Sequence, residues 1–245
     1  MSNAAFLYYL PLSDQIMQAS DAHCSLLGVA EQRAVGSFFF RRDRIQRVLS
    51  RALLRRALAD FTGANPADWQ FQKNSYGRPE IDAPSHCRSL QFNVSHTDGL
   101  VACLLSWHRQ VGVDVEPIQH VAALLSVARQ HFADSETDAI RSSPASEQSR
   151  VFLELWTLKE SYFKARGLGL SGKLSDISFS ITHKAGYQIS ATIAPKLQDN
   201  PARWQFDLGH LCGHLIATTI ERHRQLPVDV VVRDATELMQ LRRSP

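Results

Sequence analysis

Val111-Gly112-Val113-Asp114-Val115-Glu116-Pro117 is the stretch from which the rest of the chain is most readily understood. Its valines alternate with other residues at the two-residue period of a β-strand, and Pro117 ends it. On a strand Asp114 and Glu116 share one face, about 7 Å apart at their Cα atoms, while Val113 and Val115 share the other. Two carboxylates so placed repel, and each favours its protonated form unless a cation intervenes. A hard divalent ion such as Mg²⁺ would relieve the repulsion, because it takes oxygen ligands and completes its shell with water and phosphate. The same pattern also fits a half-exposed strand that turns polar residues outward.

Two further strands precede this one, FNVSH (92–96) and LVACLLSW (100–107), joined by a turn of Thr97, Asp98 and Gly99. Further upstream, FLYYLPL (6–12) reads as a strand, a helical region begins near Asp14, and residues 41–59 read as a long helix without Gly or Pro. A short strand at 69–72 and the turn NSYGRP (74–79) come between. Downstream, helices are expected at 121–132 and 147–166, separated by RSSPASEQ (141–148) and closed by Gly167. Strands follow as ISFSI, YQISATI, WQFDL and HLIATTI, between 177 and 220. This order predicts an α+β protein of two halves, 1–117 and 118–225, followed by a tail at 226–245 that ends in LRRSP. A ligand site between two such halves is the expected arrangement. No internal sequence repeat is evident.

The 245 residues are 44% hydrophobic and 21% charged, ordinary for a globular protein. No apolar run reaches the ~20 residues of a membrane-spanning helix, and the N-terminus lacks the basic region of a signal peptide, so a cytoplasmic protein is expected. Cys24, Cys87, Cys103 and Cys212 are scattered without metal-ligand or disulfide spacing. The net charge of +3 is compatible with anionic ligands or an acidic partner, and decides neither.

The second chemically suggestive segment is WTLKESYFK (156–164). Trp156, Glu160 and Phe163 fall at i, i+4 and i+7, which sets Glu160 beside an apolar seam. There it is a candidate third carboxylate or general base; Glu160 and Lys164 are equally an ordinary helical ion pair. Ser95 and His96 end a strand and could both donate to a phosphate, but adjacent strand residues face opposite ways and cannot form a catalytic dyad. Arg44, Arg47, Arg51 and Arg55 form a stripe on the long helix, and with Arg78 of the turn they are candidate phosphate contacts. A solvated helix face or nucleic-acid binding would use the same stripe.

Taken together, YGRP (76–79), FNVSH (92–96), GVDVEPI (112–118) and WTLKESYFKARGLGL (156–170) resemble the 4′-phosphopantetheinyl transferase superfamily, in its longer, two-halved Sfp-type branch. The resemblance implies two pseudo-symmetric α+β halves, each a small antiparallel sheet packed with a long helix, and an active site between them. It implies transfer of the phosphopantetheine arm of coenzyme A to a serine of an apo carrier protein, with release of 3′,5′-ADP. Asp114, Glu116 and Glu160 would hold Mg²⁺, with Mn²⁺ a possible substitute. Glu160, or a water held by Glu116, would be the base. Lys164, and more weakly Lys159, would meet the phosphates. Ser95 and His96 would contact the phosphates, and Arg78 would sit near the nucleotide's 3′-phosphate, helped by Arg42 or Arg47.

The implied partner is an acidic helical acyl or peptidyl carrier protein serving fatty-acid, polyketide or nonribosomal peptide synthesis, with no nucleic acid or membrane involved. Leu124, Leu125 and Phe132 are candidates for its docking face or for helix core. A monomer is implied. The alternative is a coenzyme A or nucleotide-binding module that transfers nothing.

Overall fold

The structure, a computed structural model, describes residues 3–167, 172–183 and 186–240. Residues 168–170 of the second motif and the terminal LRRSP lie outside them. The chain forms two compact units, one running to His108 and resuming at Asp229, the other spanning Arg109–Val228.

The N-terminal unit begins with β1 (Ala4–Pro11) and three short helices, α1 (Asp14–Gln18), α2 (Ser20–His23) and α3 (Val29–Gly36). The 22-residue α4 (Arg41–Thr62) follows, then β2 (Gln70–Lys73), β3 (Pro79–Ala83), β4 (Leu90–Thr97) and β5 (Leu100–Trp107). Good helix formers carry α4 unbroken to Gly63, whose φ of 77° supplies the left-handed cap. Its buried side, including Leu49, Leu53 and Leu58, packs with Tyr8, Trp69, Cys103 and Leu105. Each leucine so buried contributes about 2 kcal/mol.

The C-terminal unit comprises β6 (Val111–Pro117), α5 (Leu124–His131), α6 (Asp134–Ser142) and α7 (Gln148–Arg166), followed by β7 (Ile177–Thr182), β8 (Gln188–Ile193), β9 (Trp204–Leu211) and β10 (His214–Glu221). Strands β6, β10 and β9 form an antiparallel sheet with β10 at its centre, and β7 and β8 form a separate hairpin. Phe152, Leu155, Leu158 and Tyr162 of α7 pack with Ile177, Trp204, Leu215 and Ala217.

The last strand, β11 (Asp229–Asp234), belongs to the first unit, whose sheet order is β11-β1-β5-β4. Three corrections to the sequence reading follow. The units part at His108/Arg109, not after residue 117, because β6 pairs with β10. The segment from 226 is not simply a tail, since Asp229–Asp234 pairs with Ala4–Tyr9. That pairing is parallel, so the N-terminal sheet is mixed, not wholly antiparallel. Among the described residues no helix is long and apolar enough to cross a membrane.

Candidate functional site

The site within the C-terminal unit is built where β6 lies against α7. Gly112, Asp114 and Glu116 share the strand face that meets the helix. Gly112 permits the approach: a Cβ there would lie 2.0 Å from the Ser161 carbonyl oxygen and 2.4 Å from the Ala165 backbone nitrogen. Buried hydroxyls secure the same helix to the sheet, with Ser161 Oγ 2.7 Å from Thr219 Oγ1 on β10. Two residues along β6, Asp114 is 4% exposed and accepts a 2.6 Å hydrogen bond from Lys164 Nζ. Trp156, Glu160 and Lys164, at i, i+4 and i+8, make a half-buried stripe on α7.

The carboxylates perturb one another. Burial and the neighbouring Asp114 push Glu116 up to about 7, Glu160 adds to the rise, and the Lys164 charge and the Trp156 indole N–H pull the other way. Glu160 is raised for the same reasons, burial first and then Asp114, with Lys164 opposing. A carboxylate that titrates near neutrality is suited to accept a proton from a hydroxyl. Among the described residues no three His, Cys, Asp or Glu side chains converge tightly enough to enclose a metal ion. The donor set nonetheless fits a hard divalent cation. All its donors are oxygens, and such an ion needs only one or two protein carboxylates once substrate phosphates and water complete its shell.

Lys159 does not belong to this face. Its side chain is fully buried and donates to Glu136 Oε2 at 2.6 Å, to the Leu174 carbonyl at 2.9 Å and to the Ile177 carbonyl. Glu136 in turn accepts the backbone N–H groups of Ala133 and Phe179. The ammonium also lies 5.0 Å from the Phe132 ring centroid. Lys159 therefore ties α7 to α6 and the start of β7, and reading it as a phosphate contact is corrected. Leu124 and Phe132 are likewise buried in the core, with Leu125 packed against it. Phe132 stacks on Phe152 at 5.1 Å, so these residues act as core and not as an open groove.

Arg42, Arg47, Arg78, Ser95 and His96 all lie in the N-terminal unit. Arg78 Nη2 donates to the Phe92 carbonyl at 3.2 Å, which ties the YGRP turn to the FNVSH strand. Burial holds its guanidinium below the ordinary arginine value, with Glu80 opposing. Asn74 Oδ1 shapes that turn by accepting the backbone N–H groups of Tyr76 and Arg78. Arg42 pairs with Asp98 and Gln46 donates to the Thr97 carbonyl, so the first turns of α4 meet the β4–β5 turn beside His96. Ser95 is buried on β4 and His96 is exposed. The arginine stripe divides: Arg55 bonds Glu31 at 2.7 and 3.0 Å and Arg51 lies 3.8 Å from the same carboxylate, whereas Arg47 is half-buried.

Sequence reasoning quoted Gly112 without giving it a task and passed over Thr219. A glycine inside a β-branched run is the signal for close backbone approach. Thr219 gives no comparable signal, since its partner is 58 positions away.

Comparison with known proteins gives the family. A family model described as 4′-phosphopantetheinyl transferase superfamily matches residues 110–221. Another, described as 4′-phosphopantetheinyl transferase, N-terminal, matches residues 14–107. The 4′-phosphopantetheinyl transferase HetI of Nostoc sp. is 31% identical over 202 residues, covering 82% of this chain and 81% of that protein. The 4′-phosphopantetheinyl transferase gsp of Aneurinibacillus migulanus is 34% identical over 140 residues, 57% of this chain and 56% of its own. The 4′-phosphopantetheinyl transferase Sfp of Bacillus subtilis is 27% identical over 181 residues, 74% of this chain and 75% of its own.

Proposed function

Because the chain belongs to the 4′-phosphopantetheinyl transferase superfamily and is an enzyme of that kind, with Sfp-type relatives, we propose that it moves the phosphopantetheine arm of coenzyme A onto a serine of an apo carrier protein, in a Mg²⁺-dependent reaction. The observation that carries this reading is the meeting of Asp114, Glu116, Glu160 and Lys164 where β6 lies on α7, with burial and Asp114 raising both Glu116 and Glu160 above the ordinary carboxylate value.

In this reaction the serine oxygen forms a bond to the phosphorus that bears the pantetheine. The bond from that phosphorus to the oxygen bridging to the nucleotide breaks, and 3′,5′-ADP leaves. Glu160, or Glu116 through a water, accepts the serine proton, because a hydroxyl is a poor nucleophile near neutral pH. Lys164 offsets charge on the departing phosphate. Asp114, Glu116 and Glu160 would hold Mg²⁺, which when bound supplies neutralisation of the pyrophosphate. Arg78, Ser95 and His96, with Arg42 or Arg47, contact the phosphates at the nucleotide end. The remaining parts of the reading rest on the family: an acidic carrier as partner and a chain that acts as a monomer.

The test is direct. The protein is incubated with coenzyme A, Mg²⁺ and apo carrier proteins of several types, and the carriers are weighed by mass spectrometry. A gain of one phosphopantetheine is expected, and its absence across all carriers defeats the reading. Glu160→Gln is expected to abolish transfer while leaving coenzyme A binding measurable.

A further inference from the structure

Trp156 opens the half-buried stripe on α7 that continues through Glu160 and Lys164, and it alone of the three carries no charge. Its indole N–H donates to the carboxylate of Glu116, which meets it from β6. An indole has one donor and no acceptor, so this bond uses its whole hydrogen-bonding capacity. The ring is held from behind. Phe152, one turn earlier on α7, stacks on it with centroids 5.8 Å apart and planes 24° apart. Phe132, just past the end of α5, lies at 6.2 Å and 37°. Phe132 and Phe152 are themselves buried, and the Lys159 ammonium lies against the Phe132 ring.

Glu116 needs such a hold. Asp114 and Glu160, its neighbours at the site, are both carboxylates and repel it. Lys164 donates its hydrogen bond to Asp114. A glutamate side chain has three torsions, so an unrestrained one spreads over many rotamers and turns away from like charge. A neutral donor fixes the carboxylate without cancelling its charge, which stays whole for a cation. A lysine or arginine in the same place would neutralise it.

We infer that Trp156 is a positioning residue for Glu116: its indole N–H, fixed by the stack on Phe152 and Phe132, keeps the Glu116 carboxylate on the shared face with Asp114 and Glu160, where it serves a divalent cation. Trp156 acts through Glu116 and needs no contact with the substrate. Hydrogen bonds to metal-ligating groups commonly set metal affinity by about 10–100-fold. The inference rests on the proposed metal-dependent transfer.

The test reads the site without turnover, in full-length protein saturated with coenzyme A and with no carrier present. In ¹⁵N-labelled protein the assigned indole N–H signal of Trp156 is followed beside those of the other three tryptophans. Glu116→Gln removes the charge from the acceptor and is expected to move the Trp156 signal further than the other three. Mn²⁺ is expected to broaden that signal most. Trp156→Phe keeps an aromatic ring on Phe152 and removes the N–H. It is expected to weaken Mn²⁺ binding, followed by EPR, at least tenfold while the urea midpoint of unfolding stays near that of the wild type. A Trp156 signal that Glu116→Gln leaves in place overturns the inference, whatever the stability of Trp156→Phe. So does a folded Trp156→Phe with wild-type Mn²⁺ affinity. Both results leave the proposed reaction standing, whereas a wild-type protein that binds no Mn²⁺ overturns the inference and the metal-dependent reading together.

Discussion

Gly112→Ala tests the close approach on which the carboxylate site depends. The added methyl would sit 2.0 Å from one backbone atom of α7 and 2.4 Å from another, so no rotamer change relieves the clash. Restoring ordinary van der Waals contact moves the helix off β6 by roughly 1.4 Å. Glu160 and Lys164 travel with it, and the 2.6 Å bond from Lys164 to Asp114 opens. Overpacking of this kind costs about 1–3 kcal/mol of stability. An ångström of misplacement at a catalytic group lowers the rate by about 10²-fold. Urea unfolding measures the first effect, and coenzyme A-dependent modification of an apo carrier measures the second. Gly36→Ala is the control, because nothing lies within 4 Å of the Cβ it would add. A Gly112→Ala protein with wild-type stability and full transfer rate would refute the reasoning, since Asp114 and α7 would then not need this contact.

Three other outcomes follow from the structure. Lys159→Met leaves Glu136 buried without its ammonium and should lower unfolding free energy by about 3–5 kcal/mol; adding Glu136→Gln should restore much of it, and failure to do so would mean the two are not a pair. Arg78→Ala should raise KM for coenzyme A more than for dephospho-coenzyme A if the side chain meets the 3′-phosphate, whereas equal increases in the two would place it elsewhere. Burial, with Arg56 adding to it, holds buried His23 below its ordinary value. Above a pH of about 6.5 both folded and unfolded forms are neutral there, and below it the unfolded chain takes the proton first. Stability should therefore fall as pH drops from about 6.5 toward the folded-state value, and His23→Leu should flatten that limb of an unfolding curve measured against pH.

What sequence could convey depended on how far apart the partners lie. The strand at 111–117 is legible because Val113 and Val115 alternate with the carboxylates, and α7 because a long helix-forming run ends at Gly167. The bond from Lys164 to Asp114 spans 50 positions, and only the folded chain discloses it. Lys159 misled for the same reason. A lysine beside Glu160 reads as a cation near phosphates, and the carboxylate that actually holds it is Glu136, on another helix. The strand at Asp229–Asp234 is a different kind of miss, because Val230, Val231 and Val232 are a β-branched run that should have been given weight.

That last strand bears on the order in which the protein can be made. Residues 109–228 form one uninterrupted unit, whereas the first unit needs both β1 and a strand more than two hundred positions later. During synthesis the later-emerging segment is complete in sequence by residue 228, and the earlier one waits with the edge of β1 open. Contacts so distant in sequence form slowly, and open strand edges are where nascent chains stick to one another. Shortening the protein before residue 229 would leave that edge bare in the finished molecule, and aggregation, more than lost chemistry, would be the first symptom.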